Sequence, residues 1–155
     1  MTALSKWMIG FLIASVALVI LHQHYQLSIN LTPSLPYKIF LINKNEQPRR
    51  GQLIAFKWKG GLGYAPGVTM IKKVIAQGGD VIQRRGYDFY IDLDYFVHVN
   101  PQILQQKKLD LAASGIVKPD QYFVLATHPT SLDSRYRQFG NVQQHEVIGR
   151  AYPIW

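Results

Sequence analysis

The sequence has no cysteine, which excludes disulfides, thiolate metal sites and cysteine nucleophiles. Any covalent chemistry must use another side chain. Carboxylates are scarce too: nine Asp and Glu stand against 17 Lys and Arg, a formal net charge of +8. That balance suits nucleic acid or anionic lipid. The basic residues, among them Lys38, Lys44, Arg49, Arg50, Lys57, Lys59, Arg84 and Arg85, are scattered without a nucleic-acid motif. Solvated or lipid-facing charge is therefore the better reading, and no nucleic-acid partner is expected. His22, His24, His98, His128 and His145 show no ligand spacing with a carboxylate partner, so neither a metal nor a cofactor is implied. Repeats and low-complexity tracts are missing as well.

What is present is a chain of 155 residues, 48% hydrophobic and 12% aromatic. It has enough apolar surface to offset the entropy of ordering, and room for one catalytic-sized body with a small appendage. Long apolar runs number one: WMIGFLIASVALVIL, Trp7 to Leu21, with Lys6 before it and His22, Gln23 and His24 after it. A spanning helix takes about twenty apolar residues, so the span is drawn as 7–25, with Trp7 and Tyr25 at the two interfaces. A cleavable leader is the rival reading. The residues that follow, HQHYQLSIN, offer no small-x-small cleavage pattern, which favours a retained anchor. Lys6 puts 1–6 on the cytoplasmic side by the positive-inside rule, leaving 26–155 outside the cytoplasm.

Beyond the anchor, β-branched and aromatic segments alternate with turn formers, the pattern of a mainly β body. Strands are expected at 38–42, 52–58, 69–76, 81–84, 95–99, 121–125 and 147–154. Breakers separate them, such as Gly60-Gly61-Leu62-Gly63 and Gly78-Gly79-Asp80. One helix is expected: Asn100 suits the N-cap and Pro101 the first position. Ile103, Leu104, Leu109 and Leu111 form its broken apolar stripe, which Ser114-Gly115 would end. The stretch 85–118 reads as a small insertion.

Thr32-Pro33-Ser34-Leu35-Pro36 is a serine stiffened by two prolines, which restrict φ and the residues preceding them. Taken alone it is a rigid turn. Three further segments change its meaning: Arg50-Gly51-Gln52-Leu53-Ile54-Ala55-Phe56-Lys57, then Met70-Ile71-Lys72-Lys73-Val74-Ile75-Ala76-Gln77-Gly78-Gly79-Asp80, then Ser131-Leu132-Asp133-Ser134-Arg135-Tyr136. In this order, behind an anchor, they resemble the boxes of type I signal peptidases over nearly the whole chain except the insertion. The S-x-P spacing and short insertion look most like the TraF-type peptidases of conjugative transfer systems. Leu125-Ala126-Thr127-His128-Pro129 departs from the Gly-Asp-Asn that leader peptidases carry there.

The resemblance implies a signal-peptidase-like β-barrel and a serine peptidase with Ser34 as nucleophile and a lysine as general base. A lysine base must be neutral, so burial has to lower its pKa from about 10.4 toward 7 or 8. Strand periodicity gives both Lys72 and Lys73 apolar neighbours and cannot choose between them; the family pattern points to Lys72. It also implies the Ser34 N–H and the Thr32 hydroxyl as oxyanion donors, and Ser131 as the serine orienting the lysine. Asp133 and Arg135 are implied as an ion pair, mainly structural, with a direct catalytic part for Asp133 left open. The implied substrate is a membrane-tethered pilin or preprotein at an inner-membrane, extracytoplasmic site, with membrane lipid as the other partner. Cleavage and acyl-enzyme cyclisation stay open. A general leader peptidase and a non-catalytic assembly factor are the alternatives; a LexA-type repressor is disfavoured by the anchor and the lack of a DNA-binding domain.

Overall fold

The computed structural model describes residues 3–155; Met1 and Thr2, where the expected segment 1–6 begins, lie outside them. Helix α1 (Ala3–His24) has 22 residues, about 33 Å at 1.5 Å per residue, against an apolar bilayer core of about 30 Å. It is the one helix, among the described residues, long and apolar enough to cross a membrane, and its apolar window Trp7–His24 is not buried against the rest of the chain.

Strand β1 (Tyr25–Ile29) follows without a break. No strand is expected here from the sequence; Tyr25, Leu27 and Ile29 face outward and are exposed, while Gln26 and Ser28 are half-buried. Its register is set by β2 (Ile39–Asn43), from Tyr25 opposite Asn43 to Ile29 opposite Ile39. The other strands of this sheet are β3 (Leu53–Lys57), β4 (Thr69–Gln77), β9 (Gln121–Leu125), β10 (Val142–Gln143) and β11 (Val147–Pro153). Seven antiparallel strands in the order β1-β2-β11-β3-β4-β9-β10 curl into a half-barrel. The expected mainly β body is thus present. A second sheet, β7-β6-β5-β8, combines β5 (Val81–Arg85), β6 (Asp88–Ile91), β7 (Asp94–His98) and β8 (Gly115–Ile116), so the appendage starts at Val81 rather than at 85.

Both faces of the larger sheet are covered. Leu35, Phe40, Ile42, Ala55, Ile71 and Ala151 form a small cluster. On the other side a larger one includes Ile54, Phe56, Val74, Phe123, Tyr136 and Phe139. A strand buried on both faces carries an unbroken apolar run, and Ile54-Ala55-Phe56 in β3 is fully buried for that reason.

Helix α2 (Pro101–Lys107) begins as expected: the Asn100 side chain accepts from the Gln102 N–H at 2.9 Å. It ends earlier than the expected Ser114-Gly115. Lys108 adopts a left-handed conformation, φ 51°, and the chain then runs extended. Ala112 donates to the Arg135 carbonyl and Arg137 to the Asp110 carbonyl, each at 2.8 Å. Leu109 and Leu111, read as a helical stripe, are spaced by two because they belong to this extended segment.

At the irregularity between Val147 and Gly149 in β11, a Cβ on Gly149 would land on the carbonyl of Asn43. We expect Gly149→Ala to cost about 2–3 kcal/mol, read as a lower denaturant midpoint; an unchanged midpoint would show that β2 yields there freely.

Candidate active site

Ser34 sits on the loop joining β1 to β2, and Asn30 organises that loop. Its Oδ1 accepts from the Thr32 N–H at 3.2 Å and the Thr32 hydroxyl at 3.1 Å, while its Nδ2 donates to the Tyr37 carbonyl at 3.1 Å. Leu35, next to the serine, is buried in the smaller apolar cluster and pins the loop to the sheet. Two hydrogen bonds hold the Ser34 carbonyl: the Thr127 N–H donates at 3.0 Å and the Thr127 hydroxyl at 3.1 Å. Ser34 itself is 7% exposed.

Thr32 Oγ1 lies 3.0 Å from Ser34 Oγ as well as near Asn30. A hydroxyl has one hydrogen. When Thr32 donates to Asn30, Ser34 donates to Thr32; when Thr32 donates to Ser34, the serine hydrogen is free for a base. The second arrangement is the one a nucleophile needs.

The strand decides between the two lysines. Lys72 pairs in register with Ile54 of β3 and is 6% exposed, whereas its neighbour Lys73 faces solvent. Burial pushes the Lys72 amine down from 10.5 to about 8; the Asp133 carboxylate opposes this and the Arg135 guanidinium assists it. Lys72 and Ser34 line one cavity of about 710 Å³, with Thr32 and Ser131 also in its wall. Met70, Leu62, Leu109 and Leu132 supply apolar lining, the mixture expected of a binding cleft. Ser131 reaches the cavity but forms no hydrogen bond to Lys72 among the described residues; its N–H donates to the His128 carbonyl at 3.1 Å.

Asp133 and Arg135 lie behind this wall. The carboxylate is fully buried and accepts from Arg135 Nε and Nη2, each at 2.8 Å, from the Arg135 N–H at 3.2 Å and from the Ala126 N–H at 3.0 Å. Burial works against the guanidinium charge, but the bonds and charge of Asp133 outweigh it and raise its pKa. Every oxygen direction of Asp133 is taken by a donor, which suits a structural anchor better than a proton acceptor.

A sequence model described as signal peptidase, peptidase S26, matches residues 1–155. The chain belongs to that family. It is a serine peptidase of the signal peptidase family, acting on a preprotein and anchored to the membrane by its apolar helix α1. No curated protein matches it by sequence. Among solved structures it is similar to a signal peptidase I from Enterococcus faecalis V583, with 26% identity over 68% of this chain and 97% of that one and a TM-score of 0.47.

Asn30 and Thr127 escaped the sequence reading of this peptidase. Asn30 had a signal, an Asn two residues before a Thr in a turn. Thr127 had only a negative one, the departure from Gly-Asp-Asn, and its partner is 93 residues away. His98 pairs with Asp88 at 2.7 Å across β6 and β7, and neither residue lines the cavity.

Holding Lys72 charged in this wall costs stability. Below about pH 8 the amine is protonated in both folded and unfolded chains and the cost is full; it fades as pH rises from 8 to 10.5. Lys72→Met is therefore expected to stabilise the fold at pH 7, by up to about 3 kcal/mol, and by much less near pH 10.5. Denaturant midpoints at the two pH values check it, and an equal gain at both would contradict the burial account.

Proposed function

We propose that the peptidase works through a Ser34–Lys72 dyad on a membrane-tethered precursor, a conjugative pilin. The carrying observation is that Lys72, buried and with its pKa lowered to about 8, shares a cavity with Ser34. Neutral Lys72 takes the hydroxyl proton as Ser34 Oγ attacks the scissile carbonyl. The Ser34 N–H and the Thr32 hydroxyl, released from Ser34 Oγ as that oxygen bonds to the carbonyl carbon, hold the oxyanion. Lys72 then passes its proton to the leaving amine. Water, activated by the same lysine, releases the acid, or the precursor's own amino terminus attacks the acyl-enzyme and closes a ring. Asp133 and Arg135 hold the wall in this reading, and Ser131 orients the lysine once substrate fills the cavity.

The pilin client rests on the resemblance of the S-x-P box and short insertion to the TraF-type branch. The family description itself favours a second reading, a general leader peptidase for exported proteins. Lipid as a partner is supported by Leu27, Ile29 and Leu31, 67%, 68% and 91% exposed and a few residues beyond α1. In this reading the cavity lies beside the inner membrane on its extracytoplasmic face, where a tethered cleavage site emerges.

Co-expression with a pro-pilin and with an ordinary signal-peptide reporter, read by mass spectrometry, tests this. Ser34→Ala and Lys72→Ala should abolish processing, and Lys73→Ala should not. Product masses one water apart distinguish cleavage from cyclisation; efficient processing of the ordinary reporter favours the leader peptidase. Processing that survives without Ser34 would sink the dyad. In vitro, kcat/KM should climb as pH rises toward about 8 and level above it, since only the neutral amine accepts a proton.

A further inference from the structure

The bonds around Thr127 join two parts of the site that the chain keeps far apart. Asp133 holds the Ala126 N–H, and the next residue, Thr127, places both its N–H and its hydroxyl on the Ser34 carbonyl. The buried ion pair thus fixes the end of β9, and Thr127 carries that fixation across to the serine. Ser34 sits in a loop that is exposed on either side, at Thr32-Pro33 and at Pro36-Tyr37-Lys38, so its peptide planes need an external hold. A carbonyl gripped by two donors cannot rotate about the Ser34 Cα–C bond without breaking both. The direction of the Ser34 side chain and of its N–H then stays fixed relative to Lys72, whose strand β4 pairs directly with β9.

We propose that Thr127 is a positioning residue: through its hydroxyl bond to the Ser34 carbonyl it sets the aim of the nucleophile and couples the Asp133–Arg135 pair to it. The proposal rests on Ser34 being the nucleophile. Thr127 touches neither the scissile bond nor the lysine; it acts by holding the serine in attack geometry, where small displacements cost rate steeply. It also gives the Asp133–Arg135 pair a route to catalysis that involves no proton transfer by Asp133.

The test uses the full chain in detergent with a tethered precursor peptide. Thr127→Val keeps the N–H and the shape but loses the hydroxyl donor. It should lower kcat about tenfold, the effect of one hydrogen bond, with KM within about twofold and the pH midpoint near 8 unmoved. Thr127→Ser should restore most of the rate. A second readout is independent of turnover: carbonyl-13C serine with 15N leucine marks the two Ser-Leu linkages, at Ser34 and at Ser131. The valine variant should shift the Ser34 carbonyl resonance and leave that of Ser131 in place. Should the valine chain fail to fold, Thr127→Ala carries the same expectations. Full kcat without the hydroxyl overturns the proposal, as does a slow variant whose Ser34 resonance has not moved, or a serine variant as slow as valine. A wild-type chain that turns over neither precursor removes the peptidase reading itself, and the positioning role with it.

Discussion

A lysine amine kept out of water is the constraint on which the rest of this site depends. An ammonium group loses hydration when a sheet closes over it, and the loss appears as an acidity near pH 8 instead of 10.5. Lys72 is buried on β4, an interior strand between β3 and β9, on the face it shares with Ile54. The site also needs a nearby charge balance that neither drowns nor abolishes the effect. Asp133 pulls the lysine back toward its protonated form, and Arg135, forked onto the same carboxylate, works against that pull. The ion pair is a rigid anchor, fully buried on the acid side and 3% exposed on the base side.

The serine side of the site is built by different means. Its loop has no sheet partner, so proline stiffening, the Asn30 side chain and the buried Leu35 do what a ladder of backbone bonds does elsewhere. The fold thus sets a buried lysine on a strand beside a serine on a connecting segment, and Thr127 bonds the carbonyl of that serine. The shared hydrogen of Thr32 gives the loop two hydroxyl arrangements at no backbone cost.

Local pattern located most of the strands, because alternating β-branched residues and glycine-rich breaks act over a few residues. It did not include β1, whose five residues alternate but follow directly on the anchor helix. It failed at Leu109 and Leu111, where spacing fits a helix but hydrogen bonds to Arg135 and Arg137 hold the chain extended. Short apolar runs do not distinguish the two periods, and tertiary pairing decides.

By itself the sequence determined the apolar anchor, the mainly β body, the absence of thiol chemistry and the four boxes that mark a signal peptidase. These follow from composition and from residues close together in the chain. Which lysine is buried was left to the tertiary structure, since Lys72 and Lys73 have equally apolar neighbours along the strand and differ only in the face of the sheet they occupy, Lys72 buried beside Ile54 and Lys73 exposed. The same holds for the grip of Thr127 on Ser34. A hydrogen bond between residues 93 apart leaves no trace in local periodicity, and exists only because the folded sheet brings the end of β9 to the loop that carries Ser34.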